Sequence, residues 1–143
     1  MHVHSLLWLE VFDAAIVEHH SQPLAARLHL AGRAIAAHID SDPEPPRRAM
    51  SLSMKHPVLL SGFQGVSRRW VERIAEEACP SPATQSDRFR ARVIGSATMG
   101  LVDATIREWL LHSEGAPFVA LWDEGFAHLA GLLGPASTPV SAC

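Results

Sequence analysis

With 143 residues, 48% of them hydrophobic and 19% charged, the chain has room for one compact domain with its own core and is too apolar to stay disordered. Its net charge of −3 offers no basic face to nucleic acid, so DNA is not expected to be bound by this chain alone. No apolar run approaches the roughly 18 residues of a membrane span, and the opening Met1-His2-Val3 lacks the basic start of a secretory signal, which together predict a cytoplasmic protein without a membrane partner.

Ala and Leu number 37 against 20 for Val, Ile and Thr, and Tyr is absent, which favours helix over sheet because short and straight side chains lose little freedom in a helix. The first helical run is expected over 6–19, with Leu9, Phe12 and Ile16 three and four apart. Ser21 and Pro23 supply a cap and an early proline for a second helix reaching Ile39, whose stripe is Leu24, Leu28, Ala31, Ile35 and Ile39. Pro43, Pro45 and Pro46 break the chain, although the last of them can sit in a new first turn. A short helix over 47–55 follows, then one over 57–78 with Gly62 and Gly65 as weak points, stopped by Cys79-Pro80. Ser86-Asp87 is read as the cap of a long helix over 88–112, and Gly115-Ala116-Pro117 as the turn after it. The final helix spans 118–133 and ends at Gly134-Pro135. The expected fold is all-α, one domain of five to six helices over 1–135, with a disordered tail over 136–143.

The last two helices carry more apolar surface than one core needs. Helix 88–112 has one row of Phe89, Val93, Ala97 and Leu101, and a second of Ile94, Val102, Ile106 and Leu110, with Trp109 alongside. Gly95, Ser96, Ala97, Gly100 and Ala104 keep its middle slim. The final helix offers Phe118, Trp122, Phe126, Leu129 and Leu133 at spacings of four, four, three and four. A symmetric pair of chains burying these faces as a four-helix bundle is one solution. Central placement in a monomer is the other, because periodicity does not separate internal from intermolecular burial.

Other chemistries find little support. His19 and His20 point to different sides of a helix, while Glu108 with His112 and Glu124 with His128 are four apart and read as surface pairs rather than metal ligands. No nucleophile elbow, phosphate loop or zinc-protease pattern is present, so no enzyme, metal or cofactor is expected. Cys79 and Cys143 lack metal spacing and form no disulfide framework. Gly65-Val66-Ser67-Arg68-Arg69-Trp70 mimics the turn of a helix-turn-helix, but Glu72, Glu76 and Glu77 would face phosphates, and a solvated arginine edge is the better reading.

The stretch RFRARVIGSATMGLVDATIREWL from Arg88 to Leu110 resembles the penultimate helix of TetR-family transcriptional regulators, and 118–133 is similar to their final helix. MKHPVL from Met54, followed by RWVER from Arg69, resembles the variant in mycofactocin-type regulators and other acyl-CoA-like ligand binders. The resemblance covers about residues 8–134 and implies a C-terminal ligand-binding domain whose last two helices form a homodimer. Val93, Ala97, Leu101, Trp109, Phe118, Trp122, Phe126, Leu129 and Leu133 are then the dimer-interface candidates. Because the family's cavity lies between central helices, Met50, Met54, Leu59, Phe63, Trp70, Met99 and Val102 become candidates for lining a pocket, with Arg47 and Arg48 available to an acidic head group. The three-helix DNA-binding unit of the family is expected to be missing, since the ligand-domain pattern begins within ten residues of Met1. The chain then reads as a truncated regulator that binds a small apolar or acyl-CoA-like effector and can form mixed dimers with a full-length relative. A ligand-free α-helical scaffold or interaction protein is the alternative.

Overall fold

The computed structural model describes residues 2–112 and 115–133, with side chains from residue 7 onward except those of 57, 59–64 and 133. Among these residues it holds six helices and no strand: α1 His2–Glu18, α2 Leu24–Ser41, α3 Glu44–Lys55, α4 Pro57–Ala78, α5 Gln85–Leu111 and α6 Phe118–Leu133. The fold is all-α, as the excess of Ala and Leu requires. The helix stop expected at Gly134-Pro135 and the tail over 136–143 lie outside the described residues.

Three helix starts differ from expectation, each for a local reason. Pro23 itself occupies the N-cap of α2, and no side chain caps that helix, so Ser21 does not act there. Helix α3 begins at Glu44 because Pro45 and Pro46 both fit its first turn, where missing amides leave no bond unmade. Helix α5 begins at Gln85, and its cap is Thr84 rather than Ser86. The Thr84 hydroxyl accepts from the Asp87 amide at 3.1 Å while the Asp87 carboxylate accepts from the Thr84 amide at 2.9 Å, a reciprocal capping box. Asp87 therefore sits inside the first turn, three residues after the cap. Its carboxyl is held below its ordinary pKa, mainly by the Thr84 backbone amide, then by the Thr84 side chain and the neighbouring Arg90 and Arg88.

Helix α4 continues unbroken through Gly65 and Trp70, so the helix-turn-helix mimic is no turn at all. Helices α4 and α5 lie side by side in close contact. A Cβ at Gly95 would stand 2.6 Å from the Val71 carbonyl oxygen, and only glycine permits that approach. The remaining helices pack as α1 on α2, α2 and α5 on α6, and α3 on α4.

Two apolar cores result. One gathers Ala36, Ile39, Met50, Ile106, Trp109, Phe118 and Trp122; the other gathers Phe12, Ala15, Ile16, Leu28, Ala31 and Ile74. Ion pairs fasten the second core from outside: Arg73 reaches Asp13 at 2.9 Å, and Arg27 reaches Glu77 at 3.1 Å. Asp40, near the end of α2, accepts from the Phe118 and Val119 amides at 2.8 and 2.9 Å. A carboxylate at a helix N-terminus satisfies otherwise orphaned donors and complements the helix dipole, so Asp40 sets where α6 starts. Arg47 is half-buried against α5. Its guanidinium lies 4.1 Å from the centre of the Trp109 ring and donates to the Trp109 carbonyl at 3.1 Å, closing the first core. Arg48 stays exposed.

Candidate functional site

Between the two cores lies a cavity of about 150 Å³. All six helices contribute to its wall. Trp8 and Phe12 come from α1, Leu28, Gly32 and Ile35 from α2, and Met50 from α3. Trp70 and Ile74 of α4, Met99, Val102 and Ile106 of α5, and Phe118 and Trp122 of α6 complete it. Phe12 and Trp70 meet edge to face with ring centres 5.4 Å apart, which fixes one wall. Trp122 forms another, held by its indole N–H donating to the His29 carbonyl at 3.0 Å and passing directly over Gly32.

Three hydroxyls line this space, those of Ser53, Ser67 and Thr98, and two of them bond to backbone. Ser53 donates to the Ala49 carbonyl at 2.9 Å and Thr98 to the Ile94 carbonyl at 2.7 Å, so both hydroxyls spend their protons on their own helices. Among the described residues no buried side-chain nitrogen or oxygen is left without a partner. Walls of this kind suit an apolar guest better than water, which needs two to four polar partners.

A second recess of about 350 Å³, the outer one and about as open as the inner, lies between α3, α4 and α5. Met50, Ser53, Ser67, Met99, Val102 and Ile106 belong to both spaces and form their common wall. Its outer rim carries Met54 and a pair on α5 in which Arg107 reaches Asp103 at 2.8 Å.

One family model, described as the MftR C-terminal domain, matches residues 22–134. The chain belongs to that family, the C-terminal domains of TetR-type regulators. Comparison with curated proteins and with solved structures gives no match. Helix α1 precedes the matched stretch, yet in this MftR-type domain it supplies Trp8 and Phe12 to the cavity wall.

The pocket candidates separate into three groups. Met50, Trp70, Met99 and Val102 line the inner cavity, while Met54 lines only the outer recess. The side chains of Leu59 and Phe63 lie outside the described residues. Sequence reasoning placed the pocket on α3, α4 and α5 and missed the share of α1, α2 and α6. The one available signal was Gly32 in the middle of an otherwise good helix, a position where a backbone is often approached closely.

The interface candidates also divide. Trp109, Phe118 and Trp122, expected to face a partner, are instead buried in the chain's own core at 2%, 5% and 3% exposure. Their large rings fill the space beneath α3 and against α2, so they leave nothing for a second chain. Leu101, Phe126 and Leu129 are half-buried, with Leu101 and Phe126 packed against the first core. Val93 and Ala97 are exposed, and the Leu133 side chain is outside the described residues. Around Val93 and Ala97 runs an outward row on α5 of Phe89, Val93, Ala97, Gly100, Ala104 and Leu111, with Phe89 64%, Val93 51% and Leu111 75% exposed. Steps of four, four, three, four and seven keep it on one face. On α6 the exposed positions include Ala120, Ala127, Gly131 and Leu132. Gly95, grouped with the slim residues, faces α4 instead, while Gly100 has open space beyond its Cα.

The carboxylate–histidine pairs are surface contacts within α5 and α6, at 3.1 Å for Glu108 with His112 and 3.6 Å for Glu124 with His128. Among the described residues no three groups of metal-binding type come together.

Proposed function

We propose that this chain is the effector-binding and dimerisation domain of a TetR-type regulator, acting without enzymatic chemistry, and that its effector is a small apolar or acyl-CoA-like molecule. The observation carrying this reading is the apolar cavity to which all six helices contribute. A ligand seated there buries apolar surface and favours whichever arrangement of the six helices it fits best, which is the physical content of an effector.

Dimerisation is supported by the outward row on α5 and the exposed small residues on α6. Ala97, Gly100 and Ala104 let a second helix approach closely, and Phe89, Val93 and Leu111 supply apolar surface around them. A two-fold arrangement of α5 and α6 covers both faces at once. The cytoplasm is the proposed location, and no described helix is long and apolar enough to cross a membrane. DNA contact is assigned to a different segment or to a full-length relative in a mixed dimer, in keeping with the net charge of −3.

Light scattering behind size exclusion tests the dimer: the wild type runs at twice the chain mass and Val93→Glu at one chain mass. A wild type that stays monomeric at micromolar concentration refutes this part. A thermal-shift panel of apolar compounds and acyl-CoA esters of several chain lengths tests the effector. A true ligand at a hundred times its Kd adds about 2.7 kcal/mol and raises Tm by roughly 5–10 °C. A panel without any stabilising member removes the effector reading and leaves an interaction scaffold.

A further inference from the structure

The outward row on α5 is flanked by charges of opposite sign, one toward each end. Phe89, Val93 and Leu111 are all exposed along this row, more apolar surface on one helix face than scattered single residues give. On one flank stand Arg90 and Glu108, both exposed. They are eighteen residues apart, five whole turns, so they share one meridian of the helix at a separation of about 27 Å. Among the described residues Arg90 makes no ion pair. Its field reaches Asp87, a carboxylate already engaged by the Thr84 amide. Glu108 meets His112 at 3.1 Å through one carboxylate oxygen, which leaves the other for a further donor. The neighbouring arginines are spent differently: Arg88 donates to the Ala83 carbonyl, and Arg107 is bound to Asp103.

Given the dimer proposed above, we infer that α5 pairs with α5 of a second copy in antiparallel register, crossing beside Gly100, and that Arg90 and Glu108 select the partner by pairing with Glu108 and Arg90 of that copy. A two-fold axis perpendicular to two antiparallel helices sets each residue opposite one equally far beyond the axis and keeps matching flanks on the same side. Arg90 and Glu108 have their midpoint at residue 99, Phe89 and Leu111 at 100, and Val93 and Ala104 between 98 and 99. One axis therefore places arginine on carboxylate, phenylalanine on leucine and valine over alanine. Ala97 and Gly100 stand at the crossing, where Gly100 has open space beyond its Cα. At the shallow crossing of about 20° common in bundles, the helix axes have drifted apart by only about 5 Å at the charged pairs, which long side chains span. Parallel pairing sets Arg90 on Arg90 and Glu108 on Glu108 instead, the like-charge contact that rejects a partner. A mixed dimer is matched only with a chain carrying a cation and a carboxylate at the same two places.

Sedimentation equilibrium of the full chain at low salt tests this with Arg90→Glu, Glu108→Arg and a chain carrying both changes. Each single reversal creates like-charged pairs in its homodimer and is expected to weaken it roughly tenfold or more, with the loss shrinking in about 1 M salt. The doubly reversed chain, and an equimolar mixture of the two single variants, restore matched pairs and are expected to return to within about threefold of wild type. Rescue by mixing separates pairing from damage, because one misfolded chain does not repair another. Mild oxidation reads the register in a Cys79→Ser, Cys143→Ser background. Gly100→Cys is expected to link to its own copy across the axis, whereas Val93→Cys, about 18 Å from its copy, is not. A wild type that dimerises although neither reversal weakens it, a mixture that fails to rescue, or Val93→Cys linking as readily as Gly100→Cys overturns the inference and leaves the dimer reading standing. A monomeric wild type overturns the two together.

Discussion

Gly32→Ala is the substitution whose consequence is most sharply set by the geometry. Gly32 lies in the middle of α2, where alanine normally stabilises by about 0.8–1 kcal/mol through helix propensity. Here a Cβ would fall on the indole of Trp122, within 2.6 Å of its Nε1 and nearer still to its six-membered ring. Such a separation is not tolerated, so the ring must move by more than an ångström. The ring is 3% exposed, and its N–H is committed to the His29 carbonyl at 3.0 Å. Overpacking of this kind costs about 1–3 kcal/mol, and losing the indole hydrogen bond about 1 kcal/mol more. Set against the propensity gain, the net expectation is a loss of roughly 1–3 kcal/mol, or about 2–10 °C in Tm for a domain of this size. The open direction for the ring is the cavity it already lines, so any ligand that stabilises the wild type should shift the variant less. Differential scanning calorimetry of both proteins, with and without ligand, measures both effects. A Gly32→Ala protein as stable as the wild type, with an undiminished ligand shift, would refute the packing argument for this wall.

Other perturbations separate the remaining contacts. Gly95→Ala places its Cβ 2.6 Å from the Val71 carbonyl oxygen, a backbone atom that cannot rotate aside, so α4 and α5 must part. A loss of about 1–3 kcal/mol by denaturant titration is expected, whereas Gly100→Ala, facing open space, should cost the isolated protomer nothing. Asp40→Ala strands the Phe118 and Val119 amides and should lower stability by about 2–3 kcal/mol, with faster hydrogen exchange at the start of α6; Asp40→Asn, keeping an acceptor, should lose less. At the start of α5, the folded-state pKa of Asp87 is depressed, so its contribution is present above the ordinary carboxylate pKa and disappears as pH falls through the folded value. The stability difference between wild type and Asp87→Asn, followed by thermal melts, should therefore be largest near neutrality and vanish in strong acid. Thr84→Ala should cost about 1 kcal/mol at neutral pH.

Much of the helical order was legible because it is local. Prolines at 43, 45, 46, 57 and 80 and the four-and-three spacing of Leu24, Leu28, Ala31, Ile35 and Ile39 act within a turn or two of the chain, and the observed boundaries fall within a few residues of them. The kinship of the final two helices was legible too, because their length and pattern persist without tertiary information. The division of apolar faces was not. Trp109, Phe118, Trp122 and Val93 satisfy the same periodicity, yet the first three fill the protomer's interior and Val93 stands 51% exposed. Periodicity says that a face is apolar and leaves open what covers it. That is decided by how the other helices cross, here by Gly32 admitting Trp122, by Gly95 drawing α4 against α5, and by Asp40 fixing the start of α6 from 78 residues away. The sequence by itself determined six helices and a family; where they leave a cavity, and which rings close it, depended on contacts between residues far apart in the chain, which no local pattern encodes.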